Sequence, residues 1–230
     1  MRALPWVWAR SLECALLGVR AYRRRRPGAG HGPVLTAGRG PVFTADGGAV
    51  ALTVDDGPDP RWTPQLLDVL ARHRVPATFF LIGARAAEHP RLARRVADAG
   101  HTVGNHSMRH PQPFAALDRA RVRAEIREAQ DRIADAVGTA PRLFRAPGGG
   151  WSPRVLGIAA DHGLTSVDWT VNPSDWKEPG IPHITRVLSR TGPGHVVLCH
   201  DGGGDRSQTV AALDAVLPVL KHRGLRFVEL

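Results

Sequence analysis

Cysteine is nearly absent. Two occur among 230 residues, Cys14 near the N-terminus and Cys199 inside the apolar stretch "HVVLCH". Two such distant cysteines do not make a disulfide framework, so their usage leaves the redox compartment open. Long apolar runs are missing too. The first segment, "LPWVWARSLECALLGVRAY", is broken by Arg10 and Glu13, well short of the roughly 18–20 continuous apolar residues that span a bilayer. A secretory signal needs an unbroken apolar stretch before a small-residue cleavage site. A twin-arginine signal needs its arginines first, whereas Arg23–Arg26 follow the apolar part. The chain also carries no internal repeat and no break that divides it into two folded domains.

Acidic residues are in the minority overall, with a formal net charge of +10. The excess is uneven: residues 1–41 hold eight arginines and one glutamate, while residues 42–230 hold 23 basic and 20 acidic residues. A nucleic-acid partner would call for a basic face on the folded part, so none is expected. Residues 1–41 read as a basic tail and linker. One expectation for it is an amphipathic, membrane-surface contact; the other is a basic tail running into a Gly/Pro-rich linker. Residues 42–230, with the ordinary hydrophobic fraction of a globular protein, read as one domain.

That domain alternates strand and helix signals. "AVALTV" (49–54) is an apolar, β-branched run ending in turn residues. A helix over 63–73 is expected to open on Thr63 and Pro64. "ATFFLIG" (77–83) reads as a strand, 89–100 as a helix, "HTVGNH" (101–106) as a strand and 117–137 as the longest helix, ending at Gly138. A strand then leads into "RLFRAPGGG" (142–150), and a helix follows with Ser152 as its cap. Strands at 164–169, 195–200 and "RFVEL", with helices near 182–190 and 206–222, complete the pattern. Repeated β–α units with non-alternating apolar strands imply a parallel sheet covered by helices. Their number suits an irregular (β/α)7-8 barrel of mostly parallel strands.

Such folds keep their chemistry at the C-terminal ends of the strands, and polar residues collect there. Asp55 and Asp56 end the first strand, His106 and His110 follow the third, Arg145 and Asp175 lie beyond later strands, and His200 ends "HVVLCH". His106 and His110 are four apart, which one helical turn would place on the same face. A lone pair of this kind equally suits a cap and a solvated neighbour. Joined to a carboxylate it becomes a two-histidine, one-acid metal set with a position open for water. An adjacent Asp pair then makes sense as a division of labour: one carboxylate ligates, and its neighbour accepts a proton. An Asx turn before Gly57-Pro58 would explain one aspartate more readily than two.

In order and spacing, "TVDDGPDP", "NHSMRH", "FRAPGG", "VDWTVNPSDW" and "VVLCHDGG" resemble the five motifs of the polysaccharide deacetylases (carbohydrate esterase family 4, the NodB homology domain). The resemblance covers about residues 42–230. It implies Asp55 as catalytic base, with Arg145 pairing it, and Asp56, His106 and His110 as ligands of one divalent ion, usually zinc, with cobalt or another ion accepted in some members. It implies His200 as the acid that protonates the leaving amine, tuned by Asp175. Leu198 would line the acetyl pocket, Trp176 follows Asp175 as the family's aromatic does, and Pro147 and Gly148 would meet substrate, Gly148 through its backbone N–H. Family members commonly carry an aromatic residue where this chain has Gly148, so Trp151 is a candidate for the missing wall of the sugar groove.

The implied activity is metal-dependent removal of N-acetyl groups from N-acetylglucosamine units in peptidoglycan, chitin-like chains or an exopolysaccharide, by a monomer. The same motifs serve O-deacetylation, as in the family's acetylxylan esterases. A silent carbohydrate-binding relative would need a lost base, ligand or acid, and none is missing. A cell-wall substrate implies an extracytoplasmic or cell-surface protein, although the N-terminal segment is a poor signal.

Overall fold

The computed structural model describes residues 40–230 apart from 43, 46 and 47. Cys14, the Arg23–Arg26 cluster and nearly all of the expected tail therefore lie outside the described residues. Among the described residues, seven strands alternate with helices: β1 (Val50–Asp55), β2 (Thr78–Leu81), β3 (Thr102–Asn105), β4 (Leu143–Phe144), β5 (Thr165–Ser166), β6 (Val196–His200) and β7 (Phe227–Val228). The helices are α1 (Trp62–His73), α2 (Gly83–Glu88), α3 (Pro90–Asp98), α4 (Arg119–Val137), α5 (Pro153–Asp161), α6 (Ile181–Leu188) and α7 (Ser207–His222). No described helix is long and apolar enough to cross a membrane.

Strand order is β5-β4-β3-β2-β1-β6, with every pairing parallel. One edge of β1 pairs with β6 from Ala51 to Asp55; the other pairs with β7 at Val50 and Ala51 and with β2 from Thr53 onward. All six residues of β1 are buried, as its continuous apolar sequence requires of a strand covered on both faces. The sheet curls into an irregular barrel. Its gap between β5 and β6 is spanned by single bridges, Val42 to Val167, Thr44 to His195 and Val171 to Val197.

The main core cluster joins Leu52, Val54, Leu66, Leu70, Val96, Ile133, Val197 and Leu213. Each such buried side chain contributes about 1.5–3 kcal/mol. A second cluster gathers Phe114, Val122, Ile126, Phe144, Trp151 and Ile158 beneath α4 and α5.

Several local expectations need correction. The first helix starts at Trp62, and its cap is the Asp59 carboxylate, which accepts from the N–H groups of Arg61 and Trp62, not Thr63. The helix expected over 89–100 is α3, Pro90–Asp98, and it is preceded by a short helix not expected from the sequence, α2, which ends where His89 leaves the helical region before Pro90. The strand over 164–169 shrinks to Thr165–Ser166. Gly138, which ends α4 at φ 79°, and Ser152, which accepts from Val155, match the sequence, and Asp118 caps the start of α4 by accepting from Arg121.

Candidate active site

Parallel pairing puts the C-terminal strand ends on one rim. In register, Asp55 stands opposite His200 on β6 and Phe80 on β2, and Asn105 stands opposite Phe144. The chain continues from those ends directly into Asp56, His106, Arg145 and Asp201, so groups far apart in sequence meet without any long loop.

The two neighbouring carboxylates diverge. Asp55, 2% exposed, points Oδ1 at Arg145, whose Nη1 donates to it at 2.8 Å. Asp56 adopts φ 77°, a left-handed conformation that aspartate tolerates better than most residues. Its Oδ1 lies 3.4 Å from His106 Nε2 and 3.3 Å from His110 Nε2. That oxygen is buried and makes no hydrogen bond. Asp55 Oδ2 stays near the same point, 3.6 Å from His106 Nε2.

Arg145 is fully buried and its donors are all directed. Nη1 also reaches Thr53 Oγ1 at 2.7 Å, Nη2 the carbonyl of Asp168 at 3.1 Å and Nε that of Val167 at 3.4 Å. The guanidinium sits 4.2 Å over the Phe80 ring. A planar cation held this way fixes Asp55 in position.

His106 and His110 come together, but not on a helical turn. They lie on a loop in which Ser107 (φ 67°) and His110 (φ 55°) are left-handed, and the loop folds the two rings to a 4.8 Å centroid separation. Asn105 sets this loop: Oδ1 accepts from the Ser107 N–H at 2.8 Å, and Nδ2 donates to the Ile126 carbonyl of α4 at 2.9 Å. Glu125 of α4 accepts from the Arg109 N–H at 2.8 Å. His106 Nδ1 lies 2.8 Å from the Arg145 carbonyl; a carbonyl only accepts, so Nδ1 donates there and Nε2 is left facing Asp56. Burial and the neighbouring His106 push His110 down to about 4, which leaves its imidazole neutral near pH 7.

These three side chains offer one ligand atom each, all within 4.8 Å of one another. A buried, unbonded carboxylate oxygen facing two imidazole Nε2 atoms is the donor set a divalent ion satisfies. The Arg145 carbonyl at His106 Nδ1 fits as well, since a ligand histidine usually donates its other N–H to an oxygen acceptor.

On the other side of Asp55, Asp175 holds His200 by two bonds. Its Oδ1 lies 2.8 Å from His200 Nδ1, and its Oδ2 accepts from the His200 N–H at 2.9 Å. Thr209 Oγ1 also donates to Oδ2 at 2.9 Å. Burial opposes charge on His200, but the Asp175 carboxylate overrides it and pushes the imidazole up to about 9. Burial likewise opposes charge on Asp175, which His200 nevertheless holds below the usual carboxylate range.

The remaining sequence expectations divide. Leu198 is buried two residues before His200, clustered with Trp169. Trp176 is 43% exposed beside Asp175, with Lys177 Nζ 4.9 Å from its ring. Pro147 is buried, and Gly148 takes φ 60° with the Gln112 carboxamide where a side chain would extend. Trp151 is not a groove wall: it is 6% exposed and packs edge-on to Phe144 at 5.8 Å. Its place after a glycine loop could not distinguish a wall from a core residue. Sequence reasoning also missed Asn105, Glu125, Thr209 and Asp201. Only the "HD" adjacency at 200–201 hinted at any of them.

Comparison with known proteins agrees with this geometry. The family model described as polysaccharide deacetylase matches residues 44–167. A chitooligosaccharide deacetylase of Sinorhizobium fredii is 47% identical over 188 residues, 76% of this chain and 87% of that protein. A peptidoglycan-N-acetylglucosamine deacetylase of Bacillus cereus is 42% identical over 182 residues, covering 78% and 84%. Among solved structures, a family 4 carbohydrate esterase from Streptomyces lividans in complex with acetate superposes with a TM-score of 0.74 at 38% identity, covering 80% of this chain and 93% of that one.

Proposed function

The chain belongs to the polysaccharide deacetylase family, and we propose that it is a divalent-metal-dependent N-deacetylase of N-acetylglucosamine units in a chitin-like oligosaccharide or peptidoglycan. One observation carries the reading: the buried, unbonded Asp56 Oδ1 faces the Nε2 atoms of His106 and His110. Those three residues would hold the ion. Two imidazoles and one carboxylate suit zinc, with cobalt as a workable substitute. When bound, the ion supplies a Lewis acid that polarises the acetyl carbonyl and eases deprotonation of water.

The chain's own residues supply the rest. Asp55 is the general base. Arg145 occupies its Oδ1, which leaves Oδ2, on the His106 side, to accept the proton. His200 is the general acid. Asp175 holds Nδ1, so Nε2 carries the proton that the departing amine nitrogen takes up. A carboxylate base held by a guanidinium and an acid kept protonated by a carboxylate are the opposed pair that hydrolysis near neutral pH requires. The Gly148 N–H would bind the oxyanion, buried Leu198 would bound the acetyl pocket, and exposed Trp176 would stack on a sugar ring. Peptidoglycan as the substrate would put the working enzyme outside the cytoplasm.

Acetate release measured on chitooligosaccharides, peptidoglycan and acetylated xylan tests the reading. Release from the first or second, abolished by a strong chelator and restored by zinc, is expected. Release from xylan alone overturns N-deacetylation, and turnover untouched by chelation overturns the metal.

A further inference from the structure

Asp201 takes no part in the mechanism above, yet it is among the most buried charged residues, 1% exposed. Three contacts tie it to the turn that carries Asp56. Its N–H donates to the Asp55 carbonyl at 3.1 Å. Its Oδ2 accepts from Thr63 Oγ1 at 2.5 Å, and the same hydroxyl oxygen accepts from the Asp59 N–H at 2.8 Å. The carboxylate also lies flat against Gly57: a β-carbon there would overlap Oδ1 and stand 2.6 Å from Oδ2 and 2.8 Å from Cγ. Gly57 is not among the residues of positive φ, so this close approach, not backbone conformation, demands glycine. Just beyond, Gly202 presses on the Asp56 carbonyl so closely that a β-carbon would overlap it. Arg206, buried, pins that glycine by donating from Nε to its carbonyl at 2.9 Å.

Asp201 Oδ1 is buried and has no hydrogen bond. An unsatisfied buried polar atom costs about 1–3 kcal/mol, so fold stability alone does not account for a carboxylate at this position. We propose that Asp201, braced by Thr63, is a positioning residue: it clamps the Asp55–Asp56–Gly57 turn and sets the Asp56 carboxylate toward His106 and His110. This rests on the metal-dependent reading and names two residues that serve it through Asp56 without touching substrate.

The test is zinc affinity of the full-length protein by chelator competition, with the absorption bands of the cobalt-loaded protein and the melting temperature of the metal-free form. Asp201→Asn and Thr63→Val should each weaken zinc binding by about 10–100-fold, the usual effect of losing such a supporting contact, and should shift the cobalt bands. Thr63→Ser, which keeps the hydroxyl, should restore both. Metal-free melting temperatures near wild type would separate positioning from loss of fold; if Asp201→Asn does not fold, Thr63→Val against Thr63→Ser decides. Wild-type zinc affinity and cobalt bands in both weakened variants overturn the proposal while leaving the deacetylase reading intact. A wild-type protein that takes up no metal overturns the metal reading, and this inference with it.

Discussion

At the scale of single residues, the acid and the base are set apart by their neighbours, since both are buried in one small volume. Burial by itself would leave His200 neutral; the Asp175 carboxylate at 2.8 Å reverses that and carries the imidazole to about 9. The sign follows directly. A raised value keeps the proton on His200 through neutral pH and releases it only as pH passes about 9. In Asp175→Asn the largest raising partner is gone and burial remains, so the value falls. The alkaline limb of kcat/KM should therefore move to lower pH, and activity near pH 7.5 should fall about 100-fold or more, the usual worth of a general acid. A pH profile of acetate release checks this; an unmoved alkaline limb would assign it to another group. Asp55, Asp56, Arg145 and His200 were legible in the sequence because each sits at or just past a strand end, and Asp175 through the motif that carries it. Asp201 was not: a buried aspartate next to a functional histidine has no pattern of its own, and its partner Thr63 lies 138 residues away.

At the scale of elements, β3, the loop after it and α4 form the unit that presents the two histidines. The four-residue spacing of His106 and His110 pairs them correctly but suggests a helical turn, whereas left-handed backbone at Ser107 and His110 does the folding. What holds those conformations is α4, through Asn105 to the Ile126 carbonyl and Glu125 to the Arg109 N–H. Glu125, a charged residue of α4, turns inward to 3% exposure. Asn105→Ala removes the acceptor of the Ser107 N–H and leaves a buried void. The loss of the hydrogen bond costs about 1–3 kcal/mol, which lowers the melting temperature by roughly 3–10 °C for a domain of this size. Zinc affinity should fall in the same variant because His110 loses its seat. Calorimetry and zinc titration read the two effects separately, and a stability loss with undiminished zinc affinity would mean that the loop is positioned by other contacts.

For the whole molecule, closure of the barrel is the feature that sequence could least define. Alternating strands and helices imply a parallel, helix-covered sheet, but its last gap is spanned by single bridges too short to leave a periodic signal. Val42 exchanges backbone bonds with the β5 exit, its N–H donating to the Ser166 carbonyl at 2.8 Å and its carbonyl accepting from Asp168 at 2.8 Å, while the Ala45 N–H donates to Gly194 at 3.0 Å. These bonds reach the chemistry, because the Asp168 carbonyl accepts from Arg145 Nη2, and Arg145 holds Asp55. Three buried backbone bonds at about 0.5–1.5 kcal/mol each translate into a melting shift on the order of 10 °C. A chain beginning at residue 40 keeps these bonds and is the reference for one that lacks them. A chain beginning at residue 48 should melt on the order of 10 °C lower and lose most of its turnover, with Arg145 no longer fixed from the Asp168 side. Equal melting temperatures and rates for the two truncations would show that residues 42–45 neither close the barrel nor support Asp55.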